Sequence, residues 1–244
     1  MRLYLLELGR IDMDRRVIMP ASAPGERIVV PVPAYLVRTD DATILIDTGM
    51  PRAVLVGTDD IGPLMRPLGG EEAHATARLA ALGIAPDEVT HVVATHFHFD
   101  HGGALGDFPR ARIVAQRAAV EAARAGRPRE QALVNIPGLD WFLVDGDADL
   151  VPGVRLLRTD GHAIGHQSAL VTLPGGGKFL LAIDAIYSRD QLRADDWGAY
   201  VDPDAARASA ARVQDLAAAA GATLVYGHDA AQWETLRHAP DWYE

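Results

Sequence analysis

Thr95-His96-Phe97-His98-Phe99-Asp100-His101 places three imidazoles and a carboxylate side by side, directly behind an apolar stretch that reads as a buried strand. Imidazole is the commonest protein ligand for zinc and similar metals, and a carboxylate beside it lets a second cation sit close by. In extended or turning backbone His96 and His98 point to one side and can grip one ion. Asp100 and His101 turn away and can grip another. One segment therefore begins two sites, and distant segments must complete them. Three candidates lie where a strand runs out into a loop: His162 after the apolar run from Val154, Asp184 after Phe179 to Ile183, and His228 after Thr223 to Tyr226. Three His for one ion, two His and Asp100 for the other, and Asp184 shared between them leaves room for a bridging hydroxide. That is the open coordination of a catalytic metal rather than the closed shell of a structural one.

The ordered set HxHxDH followed by lone His, Asp and His at strand ends resembles the metallo-β-lactamase superfamily from end to end. Within it the chain is most similar to the N-acyl homoserine lactonases of quorum quenching. The resemblance is carried by residues 95–101, Gly-His-x-x-Gly-His-Gln-Ser at 161–168, Asp-Ala-x-Tyr at 184–187 and Gly-His-Asp at 227–229. It implies a four-layer αββα sandwich, where pattern alone says only α/β. It also implies a metal set of His96, His98, Asp100, His101, His162, Asp184 and His228. The Asp47-Thr48-Gly49 turn resembles one whose Asp holds a metal-ligating His, and Tyr187 stands where the lactonases have a Tyr on the substrate carbonyl. The expected reaction is attack of a metal-bridging hydroxide on the lactone ring, with Tyr187 donating to the oxyanion and Asp100 passing a proton to the departing ring oxygen. Two divalent ions are expected, zinc first, with Fe, Mn or Co also suited to the donor set.

Competing chemistries sort on the same positions. Metallo-β-lactamases lack a bridging Asp at position 184. Glyoxalase II-like thioester hydrolases share all seven ligands but usually carry an added C-terminal helical region. Flavodiiron proteins have Glu where His98 stands, and RNA-processing relatives need an exosite or inserted domain. From another class, a metal-binding or non-catalytic binding module is the alternative. Asp160 and Ile164 replace prolines common in the lactonase loop, which should change its stiffness and add a charge near the site.

Composition agrees with an ordinary globular protein. The chain has 244 residues, 49% hydrophobic, a formal charge of −10 and no Cys. Because the candidate ligands span 96–228 and must converge, residues 1–244 read as one domain. The negative charge disfavours nucleic acid. Arg124, Arg127 and Arg129 read as cations favouring a helix end. Without Cys there is no disulfide or thiol chemistry. No stretch approaches the roughly 20 apolar residues of a membrane span, and Met1 to Glu7 meets a charge too soon for a signal peptide, so a cytoplasmic monomer or homodimer is expected.

Strands are predicted at 2–8, 28–38, 42–47, 91–95, 111–115, 154–158, 168–173 and 178–183, and helices at 71–82, 116–125 and 204–220. Residues 50–70, with several Gly and Pro and no period, read as a long functional loop. With Met19 and Phe99, its Ile61, Leu64 and Met65 are the candidate acyl-chain surface. His74 and His238 read as solvated, His91 as a packing or hydrogen-bonding residue, and His166 as supporting the site without binding metal.

Overall fold

In the computed structural model, which describes residues 1–244, twelve strands form two sheets. They are β1 (Arg2–Asp14), β2 (Arg27–Arg38), β3 (Thr43–Ile46), β4 (Met65–Leu68), β5 (His91–Val93), β6 (Arg112–Gln116), β7 (Asp140–Val144), β8 (Ala148–Val151), β9 (Val154–Arg158), β10 (Gln167–Thr172), β11 (Lys178–Ile183) and β12 (Thr223–Tyr226). The first sheet runs β4-β1-β2-β3-β5-β6-β7 and the second β12-β11-β10-β9-β8. Helices α1 (Arg52–Leu55), α2 (Ala75–Ala81), α3 (Phe99–Gly102), α4 (Arg117–Ala125), α5 (Pro128–Val134), α6 (Arg189–Ala194), α7 (Pro203–Ala220) and α8 (Ala230–Trp233) fill the connections.

β1 shows why the sheets stack. Leu3 and Leu5 point inward with Tyr35, Ile44 and Ile46 to meet Leu156, Val171, Leu181 and Val225 of the second sheet. Tyr4, Leu6 and Leu8 point outward into a second apolar layer that contains Leu79 of α2 and Val120 of α4. Strands apolar on both faces must be covered on both faces, which produces four layers. Each fully buried Leu or Ile is worth about 1.5–3 kcal/mol. On the second sheet the cover is α7, whose Ala206, Ala210, Val213 and Ala217 form a buried stripe at helical spacing. The ends of α7 follow its sequence: Asp202 accepts from the Asp204 and Ala205 amides, Pro203 opens the helix, and Gly221 closes it in the left-handed region.

Several expectations need correction. Residues 50–70 are not a bare loop, because α1 lies within them and Met65 to Leu68 pair as edge strand β4 with β1, Met65 opposite Met13. An edge strand tolerates Pro67 where a central one would not. The predicted helix at 71–82 divides into a 3-10 turn at Glu71–Ala73 and α2, separated by an extended His74. His74 is not solvated but buried, its Nδ1 2.9 Å from Thr76 Oγ1 and its Nε2 3.3 Å from Asp107. His238 is half-buried against the Trp233 ring. Arg129 opens α5 instead of closing a helix, and it bonds both Asp59 carboxylate oxygens at 3.2 Å. β7, β8, α5 and α6 were not expected.

Candidate metal centre

The seven predicted residues meet at one edge of the sandwich, on the segments that follow β5, β9, β11 and β12. Two of these segments depend on glycine. At Gly161, with φ +129°, a Cβ would lie 2.3 Å from the Ala206 amide nitrogen of α7. At Gly227 a Cβ would lie 2.5 Å from the Ile183 carbonyl oxygen and 2.9 Å from Asp184 Oδ1. Close approach of backbone to backbone thus delivers His162 and His228. Of the three non-glycine residues in the left-handed region, two lie at the site, Asp47 (φ 62°) and Ile183 (φ 53°). Strain of this kind costs of order 1–3 kcal/mol and concentrates at functional sites. Here it aims Asp47 and Asp184.

The donor atoms fall into two groups, His96, His98, His162 and Asp184 in one, and Asp100, His101 and His228 in the other. Asp184 faces both. Its Oδ2 lies 3.2 Å from His162 Nε2 and 3.7 Å from His96 Nε2, and its Oδ1 lies 3.3 Å from the Nε2 atoms of His101 and His228. Asp100 Oδ2 stands 3.8 Å from both of those nitrogens.

Surrounding hydrogen bonds fix which ring nitrogen is free. Asp47 accepts from the Thr95 amide at 2.9 Å and from its hydroxyl at 2.8 Å, and its Oδ2 takes His101 Nδ1–H at 2.8 Å. Thr95 Oγ1, having given its proton to Asp47, accepts from His96 Nδ1 at 3.1 Å. His228 Nδ1 donates to the Pro31 carbonyl at 2.9 Å. His162 Nδ1 meets the Tyr187 hydroxyl at 2.9 Å. In His96, His101 and His228 the Nδ1 proton is occupied, so the Nε2 lone pair points inward, and a cation held by His162 Nε2 would set the same tautomer there.

These atoms fit divalent cations. His162 Nε2 lies 3.1 Å from His96 Nε2 and 2.9 Å from His98 Nδ1, so three imidazole nitrogens converge on one point. His101 Nε2 and Asp184 Oδ1 are buried with no hydrogen-bond partner. Unpartnered buried polar atoms are rare and call for an explanation, and a cation between these donors satisfies all of them.

Electrostatics agree. Burial, reinforced by neighbouring imidazoles, holds His96 and His162 well below the ordinary histidine value, in the neutral form that binds metal. Burial alone would raise Asp184, but the positive charge of His101 and His228, with His162 beside them, outweighs it and keeps the carboxyl ionised; Asp184 and Asp100 in turn raise His101 and His228, so a cation binding there would take the place of protons on these two rings. Burial also lowers His166, to about 4. Its Nε2 accepts from the Asp184 amide at 3.2 Å and its Nδ1 lies 2.8 Å from Thr159 Oγ1, so it braces Asp184 from behind.

Tyr187 is buried, and burial pushes its hydroxyl well above the usual tyrosine value, so it stays a neutral donor. With a cation on His162 Nε2, His162 Nδ1–H would donate to the phenolic oxygen and leave the phenolic proton for another acceptor. Gln191 and Tyr200, which carry no sequence signal, support it: Gln191 Oε1 accepts from the Tyr187 amide at 3.1 Å and from the Tyr200 hydroxyl at 3.3 Å. Asp160 does not leave a free charge near the site. It pairs with Arg158 at 2.6 Å and accepts from the Gly165 amide at 2.7 Å, bracing the loop in which Ile164 also replaces proline.

Two grooves open on the donors. One, of about 520 Å³, reaches His228 and includes Met19, Ile18 and Val29. The other, of about 360 Å³, reaches His96 and His98 between alanines of α4 and the exposed Ile164 and Val201. Of the expected acyl-chain surface, Met19 lies in the first groove and Phe99 follows His98 at the start of α3. Phe99, Ile61, Leu64 and Met65 line neither groove. Ile61 is buried in the core, Leu64 is exposed, and Met65 is taken up by β4.

A sandwich of two sheets with paired His/carboxylate donors along one edge defines a metallohydrolase of the metallo-β-lactamase fold. The chain belongs to the metallo-beta-lactamase superfamily, whose profile matches residues 27–228. N-acyl homoserine lactonase AiiA of Bacillus thuringiensis subsp. kurstaki is 32% identical over 247 residues, 99% of this chain and 98% of the relative. N-acyl homoserine lactonase AttM of Rhizobium johnstonii is 35% identical over 261 residues, again 99% and 98%. A solved N-acyl homoserine lactone hydrolase, with the product N-hexanoyl-L-homoserine at its catalytic metal center, superposes with a TM-score of 0.91 at 32% identity, covering 99% of this chain and 98% of that one. No helix is long and apolar enough to cross a membrane.

Proposed function

We propose that this protein is a dinuclear metal-dependent lactonase that opens the ring of N-acyl homoserine lactones. The observation that carries the reading is Asp184 set between two donor groups, with the Tyr187 hydroxyl at their rim on His162. Near full-length similarity to lactonases narrows the substrate from esters in general to this class. The whole chain acts as one catalytic unit, since both sheets contribute donors.

His96, His98 and His162 would hold one cation, Asp100, His101 and His228 the other, and Asp184 both, with zinc the first candidate for a His/carboxylate set. Bound there, two cations supply hydroxide at neutral pH and polarise a carbonyl. Tyr187 donates its free proton to the lactone carbonyl oxygen as negative charge gathers on it. The ring C–O bond then breaks, the incoming oxygen remains in the new carboxylate, and Asp100 carries the released proton to the departing ring oxygen.

The test is base-titrated hydrolysis of a short-chain and a long-chain N-acyl homoserine lactone beside a thioester and a β-lactam. Fast opening of the lactones alone supports the reading. Turnover of the thioester with inert lactones would replace it with a glyoxalase II-like one.

A further inference from the structure

The backbone groups on either side of the left-handed Ile183 both end in one path of buried side chains. The β10–β11 ladder stops at Ala169 and Leu181, and the register with β12 shifts between Leu181 and Ile183, so backbone beyond Leu181 needs partners from outside the sheet. After Ile183 the Asp184 amide donates to His166 Nε2 at 3.2 Å. Before it the Ala182 carbonyl accepts from the Ser168 hydroxyl at 2.8 Å. Between these two ends His166 Nδ1 lies 2.8 Å from Thr159 Oγ1 and 3.1 Å from the Thr159 carbonyl, and Thr159 Oγ1 lies 2.9 Å from Ser168 Oγ. The path therefore closes a ring around Ile183. It also ties the loop that carries His162, since the Thr159 amide donates to the His166 carbonyl at 2.8 Å.

Thr159, His166 and Ser168 are fully buried, so bulk water cannot replace a missing partner. One placement of protons satisfies them all. An amide only donates, so His166 Nε2 accepts and Nδ1 carries the ring proton, which goes to Thr159. A carbonyl only accepts, so Ser168 donates to Ala182 and takes the Thr159 hydroxyl proton on its own oxygen. Every bond then runs in one direction from Asp184 round to Ala182, the arrangement in which successive hydrogen bonds strengthen one another. A left-handed residue other than glycine persists only where its surroundings over-determine it. We propose that Thr159, His166 and Ser168 are positioning residues of the metal centre, whose ring holds Ile183 left-handed and so keeps Asp184 turned toward both donor groups. The inference rests on the reading of Asp184 as a ligand shared by two cations.

The experiment measures zinc affinity by competition with a chromophoric chelator, at a temperature where circular dichroism shows each variant folded, with Asp184→Asn as control. Thr159→Val and Ser168→Ala each remove one hydroxyl and should weaken zinc about 10–100-fold, while Thr159→Ser keeps the wild-type affinity. A merely structural role would lower Tm and leave the affinity of the folded protein alone. Because either change opens the same ring, the double variant should lose little more than one change by itself. In the unaltered protein, nitrogen resonances of the His166 ring should place its proton on Nδ1. Zinc affinity unchanged in both single variants while Asp184→Asn loses it, losses that simply add in the double variant, or a proton on Nε2 would overturn the proposal. Full zinc affinity in Asp184→Asn would instead overturn the shared-ligand reading, and the proposal with it.

Discussion

Asp47 Oδ2 sits 2.8 Å from His101 Nδ1 while the same carboxylate accepts two hydrogen bonds from Thr95. A residue at the end of β3 thus fixes both the orientation and the tautomer of a donor that follows β5. Asp47→Asn keeps the volume but removes the charge and one acceptor. Metal affinity should fall about 10–100-fold, read by competition with a chromophoric chelator. Unchanged affinity would detach Asp47 from the site.

Tyr187 touches His162 on one side and has a free proton on the other. Tyr187→Phe should lower kcat for lactones about 10²–10³-fold when the enzyme is saturated with metal, with KM changing much less. Measuring at saturating metal separates loss of the oxyanion donor from any weakening of the metal through His162. A loss confined to metal affinity would remove Tyr187 from the chemistry.

Arg129 reaches from α5 to Asp59 and the Asp60 carbonyl at 2.8 Å, with its guanidinium over Phe99 at 5.7 Å. The ion pair is half-exposed and worth at most about 1 kcal/mol, so Arg129→Leu should leave global stability almost unchanged. Residues 56–64 should be cut faster in limited proteolysis. Equal proteolysis rates would show that the loop is held by Ile61 and β4 alone.

Gly161→Ala places a Cβ where α7 already stands and in a backbone region that L side chains avoid. Destabilisation of about 2 kcal/mol or more is expected in denaturant unfolding. A smaller change would mean that α7 can shift.

His74 is held below the ordinary histidine value of 6.5, chiefly by burial and partly by Arg52, against the opposing pull of Asp107. The unfolded chain therefore binds the proton more readily than the folded one. The contribution is full above pH 6.5 and fades as the pH falls toward the folded value. His74→Gln should show a shallower loss of Tm between about pH 7 and about pH 5. Parallel curves for both proteins would exclude His74 as a source of acid sensitivity.

Much of this was legible in the chain. The metal motif, the three lone donors and the Asp47 turn stand where backbone geometry forces side chains together, so short patterns carry them. α7 was legible because cap, proline and glycine agree on its ends. β7 and β8 were not, because both are short edge strands, with Asp140 opening β7, Asp147 between the two and Asp149 interrupting β8. β4 was masked by Pro67 and Gly69, which read as a loop until β1 supplies the partner. His74 read as solvated because its burial depends on Asp107 and Thr76 folding around it. Pro31, Gln191 and Tyr200 support donors from far away in sequence through a carbonyl, an amide and a ring, none of which leaves a pattern.

The most direct measurement pairs metal content with turnover in the wild-type chain and Asp184→Asn. The wild type should carry about two ions per chain and open N-acyl homoserine lactones. Asp184→Asn, which loses the carboxylate facing both donor groups, should retain fewer ions and lose turnover with them. Full lactone turnover by Asp184→Asn, or by wild type stripped of metal, would contradict the account.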